Sequence, residues 1–434
     1  TLAVVTIAVL MCGLSGLFGV VYTDFIQFAL ATGGTLLLVV MAVQEVGGLD
    51  ALVEQLRGME AWSGNELSIL PQFGNEPGQM SVWNGIGYFG FLWMTVGLSG
   101  GYQAQRLLAR KDAKHASYAQ LLHSIVYYAL MAWPWIIVAL CSLVLLPELA
   151  VADQSAAYPR MIVTILPVGL RGLLVAALLA AFISTISTLF NWGSSYLVND
   201  IYRRFLNRNA TESNYVSIGR IATVFMAAAG AYISIQAKDI QTLLTLAYVL
   251  GSASLVPAVL RWFWWRLNGK AELVGMVAGW ILVVLLMITK TFDAPMASLL
   301  NLEEGVAFSS DPNLVGARML FMILSVGVCV VVAAFLTKPD DPELLKQFVL
   351  RARPFPLGWR PIIKLLDEPY HTPEPFWRTM LSWLIALVGV SSTLFGVGKL
   401  LLGPRPLGLA LLAMGALALF ITLNRIRTDC SKEA

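Results

Sequence analysis

Charged side chains are scarce in this sequence. Asp, Glu, Lys and Arg make up 13% of its 434 residues and hydrophobic residues 58%, whereas soluble globular proteins carry about 25% charged residues. Eleven stretches of at least 17 residues have no charged side chain, and a bilayer-spanning helix needs about 20 mostly apolar residues. This pattern excludes an ordinary soluble enzyme and predicts an all-α polytopic membrane protein with about eleven transmembrane helices. The stretches are 1–23, 25–44, 77–105, 116–147, 172–199, 221–237, 240–260, 273–289, 319–337, 379–398 and 406–424.

Catalytic and disulfide patterns are also missing. The four cysteines lie far apart in the chain, which gives neither a disulfide framework nor a CxxC metal motif. There is no GxxxxGK[ST] phosphate loop and no HExxH motif, and the three histidines are scattered. A formal charge of +3 gives no reason to expect nucleic acid as a partner. We therefore expect neither an enzyme nor an ATP-driven pump.

The basic residues are distributed unevenly between the two sides of the membrane. If the stretches alternate in direction and the first runs inward, 21 of the 29 Lys and Arg residues fall in cytoplasmic connections. Short cytoplasmic loops of membrane proteins carry such an excess. This bias fixes the predicted orientation, with the basic connections in the cytoplasm. We expect an integral membrane protein of a bacterial inner (plasma) membrane. The basic residues left for the outer side are Arg57, Arg160, Arg171, Lys238, Lys290, Arg318, Lys399 and Arg405.

The fifth apolar stretch carries a stripe of small and hydroxyl side chains. Ala181, Ser184, Thr185 and Thr188 recur at helical spacing and share one face of the predicted helix. Ser187 and Asn191 extend this stripe. A backbone carbonyl and neighbouring hydroxyls are neutral oxygen ligands, which suit a Na+ ion that must be released again. The same residues also serve close helix packing and hydrogen bonding in lipid. The spacing alone leaves both interpretations open.

The third apolar stretch is interrupted by glycines. Gly85, Gly87, Gly90, Gly97 and Gly100 lie among aromatic residues in a segment that must cross the membrane, and each glycine weakens a helix by about 1 kcal/mol relative to alanine. Broken helices at membrane depth are tolerated where they face protein or a water-filled cavity, which in transporters is the substrate site. Close packing of helices through small residues is the alternative.

An acidic residue, Asp24, separates the first two apolar stretches. It either stabilises the N-terminus of a helix through the helix dipole or lines an ion path through the membrane. The sequence does not distinguish the two roles.

These segments together resemble the sodium:solute symporter family. The resemblance rests on GLFGVVYTDFIQ, GYQAQRLLARKDAKHA, AAFISTIST followed by SSYLVNDIYRRF, and the run from Gly251 through Pro257 to Arg266. It covers most of residues 1–290, with the four motifs in the order that the family has. It implies a leucine-transporter-like fold of two inverted five-helix repeats. It also implies Na+ entry coupled to uptake of a small organic solute.

The resemblance assigns roles to individual residues. The Na+ ligands that it implies are the Ala181 carbonyl and the Ser184 and Thr185 hydroxyls, and Asp24 matches an acidic residue near the inner ion route. The middle of the third stretch should face the solute. Residues 93–98 differ from the Asn and Tyr-Trp pattern of sugar-transporting members, which argues against that mode of sugar binding. The substrate-binding residues expected there are Trp93, Gly97, Ser99, Gly100 and Tyr102.

Aligning TDFIQ with the family also predicts the domain organisation. The chain begins with Thr1, and its first helix matches the fourth helix of the first repeat, so we expect an incomplete first repeat. Residues 1–44 would then hold the last two helices of that repeat and 45–80 an extracellular loop with an amphipathic helix. The second repeat would occupy 81–270, peripheral helices 271–337, a proline-rich cytoplasmic linker 338–375, and the C-terminal helices 376–434.

The function predicted from the sequence is Na+-coupled transport of a small-molecule solute by alternating access. The Na+ ion and membrane lipid are the other expected partners, and the oligomeric state is left open. One alternative is a membrane sensor or scaffold that keeps the fold without transport. A channel is a third, although no ring-forming filter sequence is visible.

The predicted orientation can be tested by cysteine labelling in intact cells. In a background without the native cysteines, Asn75→Cys should react with a membrane-impermeant maleimide from outside. Lys111→Cys should react only after permeabilisation, because the basic connection that contains it is predicted to be cytoplasmic. Labelling of intact cells at position 111 but not at position 75 would reverse the whole topology.

Overall fold

The architecture of the chain is almost entirely helical. A computed structural model describes residues 17–59, 67–68, 70–74, 79–92, 94, 107–108, 110–149, 156–236, 240–370 and 375–430. These residues form no β-strand and contain one isolated bridge, between Phe73 and Met80. The all-α prediction is therefore confirmed for the described part of the chain.

The helices are numbered in chain order. Four of them continue into a π-helical segment within the same span. The bounds are α1 Leu17–Val46, α2 Leu49–Arg57, α3 Val82–Gly85 with π-helix Ile86–Leu92, α4 Ala113–His123 with π-helix Ser124–Leu130, α5 Ala132–Leu145, α6 Ala157–Ile165, α7 Val168–Tyr196 with π-helix Leu197–Leu206, α8 Glu212–Gln236, α9 Ile240–Phe263, α10 Gly269–Val283 with π-helix Val284–Ile288, α11 Asp293–Leu300, α12 Val315–Leu336, α13 Pro342–Ala352, α14 Arg360–Ile363, α15 Phe376–Leu402 and α16 Arg405–Cys430.

The membrane-spanning helices agree with the apolar stretches. Within the described residues, nine helical segments are long and apolar enough to cross a bilayer, from Phe25–Val46 to Arg405–Thr428. Each of the nine overlaps one of the eleven charge-free stretches. Of the remaining two stretches, 1–23 is described only from residue 17 onward, and 77–105 is described only at residues 79–92 and 94.

The chain divides into two compact units. The first comprises residues 1–67, 110–237 and 385–434, and the second comprises 68–109 and 238–384. These units are groups of contacting residues rather than sequence repeats. The domain bounds predicted from the family resemblance therefore stay predictions.

In the first unit, α1 is the central helix. It packs against α5, α6 and α7, and Leu38, Val138 and Leu174 lie in its buried core. A buried threonine, Thr35, forms a 2.9 Å hydrogen bond with the Tyr158 hydroxyl, which joins α1 to α6. The amphipathic helix predicted after residue 45 is confirmed as α2, whose Leu52 and Leu56 are buried.

In the second unit, α9, α10 and α12 pack together. Their core includes Val249, Leu286 and Met322. Small residues allow the close approach: Gly275 faces Val330, and Gly279 faces Ala253. Association of helices in lipid depends on this kind of packing, because lipid tails are as apolar as the side chains.

The segment predicted as a cytoplasmic linker has a folded structure. Helix α13 begins after Asp341, whose carboxylate accepts a hydrogen bond from the Glu343 amide, and α14 follows within the same segment. The two helices share a small core that includes Leu345, Val349 and Trp359. We call residues 342–363 the cap.

The cap is attached to the end of α9. The Trp265 amide donates to the Gly358 carbonyl at 3.2 Å, and the Phe263 and Phe355 rings stack with centroids 5.6 Å apart. Next to it, the Asn268 side chain donates to the Thr337 hydroxyl at 2.8 Å. Prolines begin the short helices of this segment: Pro342 lies in the first turn of α13 and Pro361 in the first turn of α14. The role of the segment as a cytoplasmic linker stays a prediction.

One expectation from the sequence needs correction. The sequence placed Asp24 between two apolar stretches that were expected to form separate helices, whereas α1 runs without a break from Leu17 to Val46, since no proline lies within it. Arg318, which the sequence assigns to the outer side, lies in the first turn of α12 and is 1% exposed, because α12 begins four residues before the charge-free stretch does. Its side of the membrane stays a prediction.

The attachment of the cap can be tested at Gly358. A β-carbon there would collide with the Phe263 backbone carbonyl, so Gly358→Ala should cost about 1–3 kcal/mol of stability. We expect a lower unfolding temperature and faster hydrogen exchange across the cap. Gly269→Ala is the matched control, because a β-carbon at Gly269 meets nothing within 4 Å. Equal behaviour of the two variants would contradict this description of the cap.

Candidate functional site

The helix with the hydroxyl stripe, α7, is long and regular. It begins at Val168 directly after Pro167, and proline at this position is compatible with a helix start because it needs no hydrogen-bond partner for an N–H. It continues as a π-helix from Leu197 to Leu206. The helix packs against α1 and α8 in the first unit, where Leu174 fits against Gly34 and Met226 against Gly193.

The proposed Na+ ligands lie next to one another on α7. The Thr185 hydroxyl donates to the Ala181 carbonyl at 3.1 Å, and the Thr188 hydroxyl donates to the Ser184 carbonyl at 3.1 Å. Hard cations such as Ca2+ bind oxygen at about 2.3–2.6 Å. Two ligand oxygens that form a right angle at the ion are then about 3.3–3.7 Å from each other. The Thr185 and Ala181 oxygens are within a few tenths of an ångström of that separation. A small cation could therefore engage both after the hydroxyl turns its proton away.

The exposure of the stripe changes around α7. Ser187 is buried, Ala181 and Ser184 are half-buried, and Thr185 is exposed. The buried part of the stripe serves helix packing, as the alternative interpretation requires. The exposed Thr185 is not needed for packing within the described residues. The packing interpretation therefore applies to Ser187, and the ion-site interpretation of Ala181, Ser184 and Thr185 stays a prediction.

The start of the glycine-interrupted segment is fixed by a polar side chain. The Asn84 side-chain nitrogen donates to the Pro312 carbonyl at 2.9 Å, and its side-chain oxygen accepts from the Gly316 backbone amide at 3.0 Å. The Ser81 hydroxyl caps α3 by accepting from the backbone amide of Asn84. The same hydroxyl donates to the Asn313 carbonyl. These bonds join α3 to the start of α12 within the second unit.

The segment is irregular where its glycines predict irregularity. After four residues of α-helix, Ile86–Leu92 are π-helical. A β-carbon at Gly87 would meet Gly316, so two glycines allow the backbones of α3 and α12 to approach. π-Helical turns leave some backbone groups off the regular ladder and are frequent at functional sites.

Several predicted residues lie outside what the structure describes. This applies to all five expected substrate-binding residues, Trp93, Gly97, Ser99, Gly100 and Tyr102. The backbone of Asp24 lies in α1, but its side chain also falls outside the described part. Their roles stay predictions.

Among the described residues, no group of three or more His, Cys, Asp or Glu side chains is placed to hold a metal ion. The α7 oxygens are instead neutral carbonyls and hydroxyls.

Comparison with known proteins identifies the family. The profile of the sodium:solute symporter family matches residues 1–279, which is more than half of the chain. The chain belongs to this family. Because the matched region includes α1, α3 and α7, the segments discussed above are family segments.

Curated relatives of the chain are cotransporters. Sodium/myo-inositol cotransporter 2 of Bos taurus is 26% identical over 406 residues, covering 83% of this chain and 56% of the relative. Sodium/glucose cotransporter 4 of Mus musculus is 27% identical over 381 residues, covering 79% of this chain and 54% of the relative. The chain spans about half the length of these relatives.

A solved structure supports the fold. The substrate-bound, outward-open state of a Na+-coupled sialic acid symporter superimposes with a TM-score of 0.56 at 19% sequence identity. The match covers 77% of this chain and 66% of that one. This similarity supports the leucine-transporter-like fold predicted from the sequence.

The Asn84 anchor can be tested by removing its side chain. Asn84→Ala leaves the buried Gly316 amide and the Pro312 carbonyl without these partners. Each buried group left unsatisfied should lower the free energy of unfolding by about 1–3 kcal/mol. We expect a lower unfolding temperature and faster hydrogen exchange in 82–92 and 312–318. Asn199→Ala is the control, because that side chain is exposed and donates only within its own helix segment. Unchanged exchange in the Asn84 variant would contradict the anchoring role.

Proposed function

We propose that this chain is part of a symporter that couples Na+ entry to uptake of a small organic solute by alternating access. Membership of the sodium:solute symporter family and the cotransporter relatives support this proposal. The single observation that carries the Na+ site is the 3.1 Å approach of the Thr185 hydroxyl and the Ala181 carbonyl on α7.

The ion site that we propose contains the Ala181 carbonyl and the Ser184 and Thr185 hydroxyls. Neutral oxygens hold a monovalent cation weakly enough for release in each transport cycle. A site made of carboxylates would hold it longer and would favour divalent cations. Asp24 is proposed to lie along the inner ion route, where an acidic side chain would attract Na+ before it leaves.

The solute is proposed to bind along the glycine-interrupted segment. The residues proposed for contact are Trp93, Gly97, Ser99, Gly100 and Tyr102, which combine an apolar surface with a hydroxyl and exposed backbone. The π-helical start of the segment supports this location, because an irregular backbone has hydrogen-bonding groups to offer. The relatives named above are cotransporters of myo-inositol and glucose, and we propose a small polar solute for this chain.

The protein is integral to a membrane, as its apolar spans and its family require. Residues that the sequence assigns to the outer side lie close together within the first unit. Arg405 approaches Asp50 at 3.4 Å, and Lys399 donates to the Leu67 carbonyl at 2.7 Å. We propose that this side is the outside. A bacterial inner membrane stays a prediction, since the relatives named above are mammalian.

The Na+ site is tested by separating oxygen from shape at position 185. In the full-length protein, Thr185→Val keeps the shape and removes the oxygen, whereas Thr185→Ser keeps the oxygen. A contact to a charge contributes about 1.5–3 kcal/mol, so the Val variant should need about 10 to 150 times more Na+ than the unaltered protein for half-maximal uptake. The increase in the Ser variant should be much smaller.

Ser184→Ala should add to the effect of Thr185→Val and abolish Na+-dependent uptake. Ser195→Ala is the helix control, because its exposed hydroxyl donates only to the Trp192 carbonyl of the same helix. Uptake should be measured against Na+ concentration, with surface expression as a check on folding. An unchanged Na+ dependence in the double variant would leave only the packing interpretation of the stripe.

A further inference from the structure

The second unit contains a polar cavity that the proposed transport site does not use. Its volume is about 420 Å³, and it lies between α9, the π-helical end of α10 and the start of α12. Its lining includes the hydroxyl groups of Thr242, Thr245 and Ser310. Arg318 is the one charged residue among the described residues that line it.

Arg318 is a buried cation that forms no ion pair with the described residues. Its side chain is 1% exposed, and Nη1 donates to the carbonyls of Phe308 at 2.8 Å and Asp311 at 2.9 Å. Its Nε has no hydrogen-bond partner among the described residues. None of the ion pairs formed within the described part of the chain involves Arg318. Burial of a charge is costly unless the charge is paired, so two carbonyls leave this guanidinium only partly satisfied.

The nearby carboxylates are used for other contacts. Both Asp293 oxygens accept from Ser309, one from its amide at 2.7 Å and one from its hydroxyl at 2.9 Å. The Asp311 carboxylate accepts from the Asn313 amide at 2.7 Å. Neither aspartate lines the cavity. They hold the loop whose carbonyls orient Arg318, and they leave its Nε edge without a partner.

We propose that this cavity binds a small organic anion through its carboxylate. The carboxylate would accept a charge-assisted hydrogen bond from Nη2 of Arg318, whose Nη1 is already held by two carbonyls. Thr245 and Ser310 would add hydroxyl donors. The cavity is much larger than a halide ion and within the range of about 300–1,000 Å³ that holds small organic ligands. The Na+ residues of α7 belong to the other unit, so this proposal does not rest on the transport proposal.

Binding of radiolabelled acetate to the purified full chain tests the proposal. At constant Na+ concentration and ionic strength we expect saturable binding that unlabelled butyrate displaces. Arg318→Gln should weaken acetate binding by about tenfold or more, since a hydrogen-bonded contact to a charge is lost. Thr245→Val keeps the side-chain shape, should weaken binding several-fold, and tests the cavity even if Arg318→Gln fails to fold.

Arg171→Gln is the matched control. Arg171 also has a buried Nε without a partner in the described structure and donates to a backbone carbonyl, but it does not line the cavity. Acetate binding should be unchanged in that variant. The proposal is overturned if acetate binding does not saturate, or if Thr245→Val binds acetate as tightly as the unaltered protein. Saturable binding of chloride without binding of acetate would also overturn it.

Discussion

Every backbone N–H and C=O group inside the hydrocarbon layer must find a partner within the protein, and the rest of this structure depends on that constraint. Regular helices satisfy it by themselves, which explains the nine described spans. Where a helix is irregular, side chains have to supply the missing partners. Asn84 does so between α3 and the start of α12. Polar groups are therefore concentrated where helices are irregular. Both ligand sites proposed in the second unit, the glycine-interrupted segment and the cavity lined by Arg318, adjoin such irregular backbone.

The same constraint explains why neutral oxygens are suited to a transported cation. On α7, the Thr185 hydroxyl is satisfied by the Ala181 carbonyl one turn earlier. In the proposed site, contacts to Na+ would replace this internal bond when the ion binds. A carboxylate inside a membrane span would be costly whenever the ion left. The proposed neutral ligands would therefore leave α7 stable both with and without the ion.

Much of the fold could be predicted from the sequence, because apolar length and charge placement follow directly from the bilayer. The spans, the amphipathic helix α2 and the irregular start at Ile86 were predictable in this way. Contacts between distant segments were not. The sequence assigned Arg318 to the outer side but could not show that its side chain is buried at the start of α12, where the carbonyls of Phe308 and Asp311 accept its hydrogen bonds. The helices of the cap were not predicted, because its core depends on contacts of Trp359 with Leu345 and Val349. The stripe on α7 showed which residues share a face, but the spacing could not show that Ser187 is buried while Thr185 is exposed.

The central claim is that the hydroxyl face of α7 binds Na+. The most direct measurement is equilibrium binding of radiolabelled Na+ to the purified full-length protein, with choline replacing Na+ to keep the ionic strength constant. The account predicts saturable binding that unlabelled Na+ displaces and K+ does not, and that is weakened strongly by Thr185→Val but little by Thr185→Ser. Saturable Na+ binding of equal affinity in the Thr185→Val variant would contradict it.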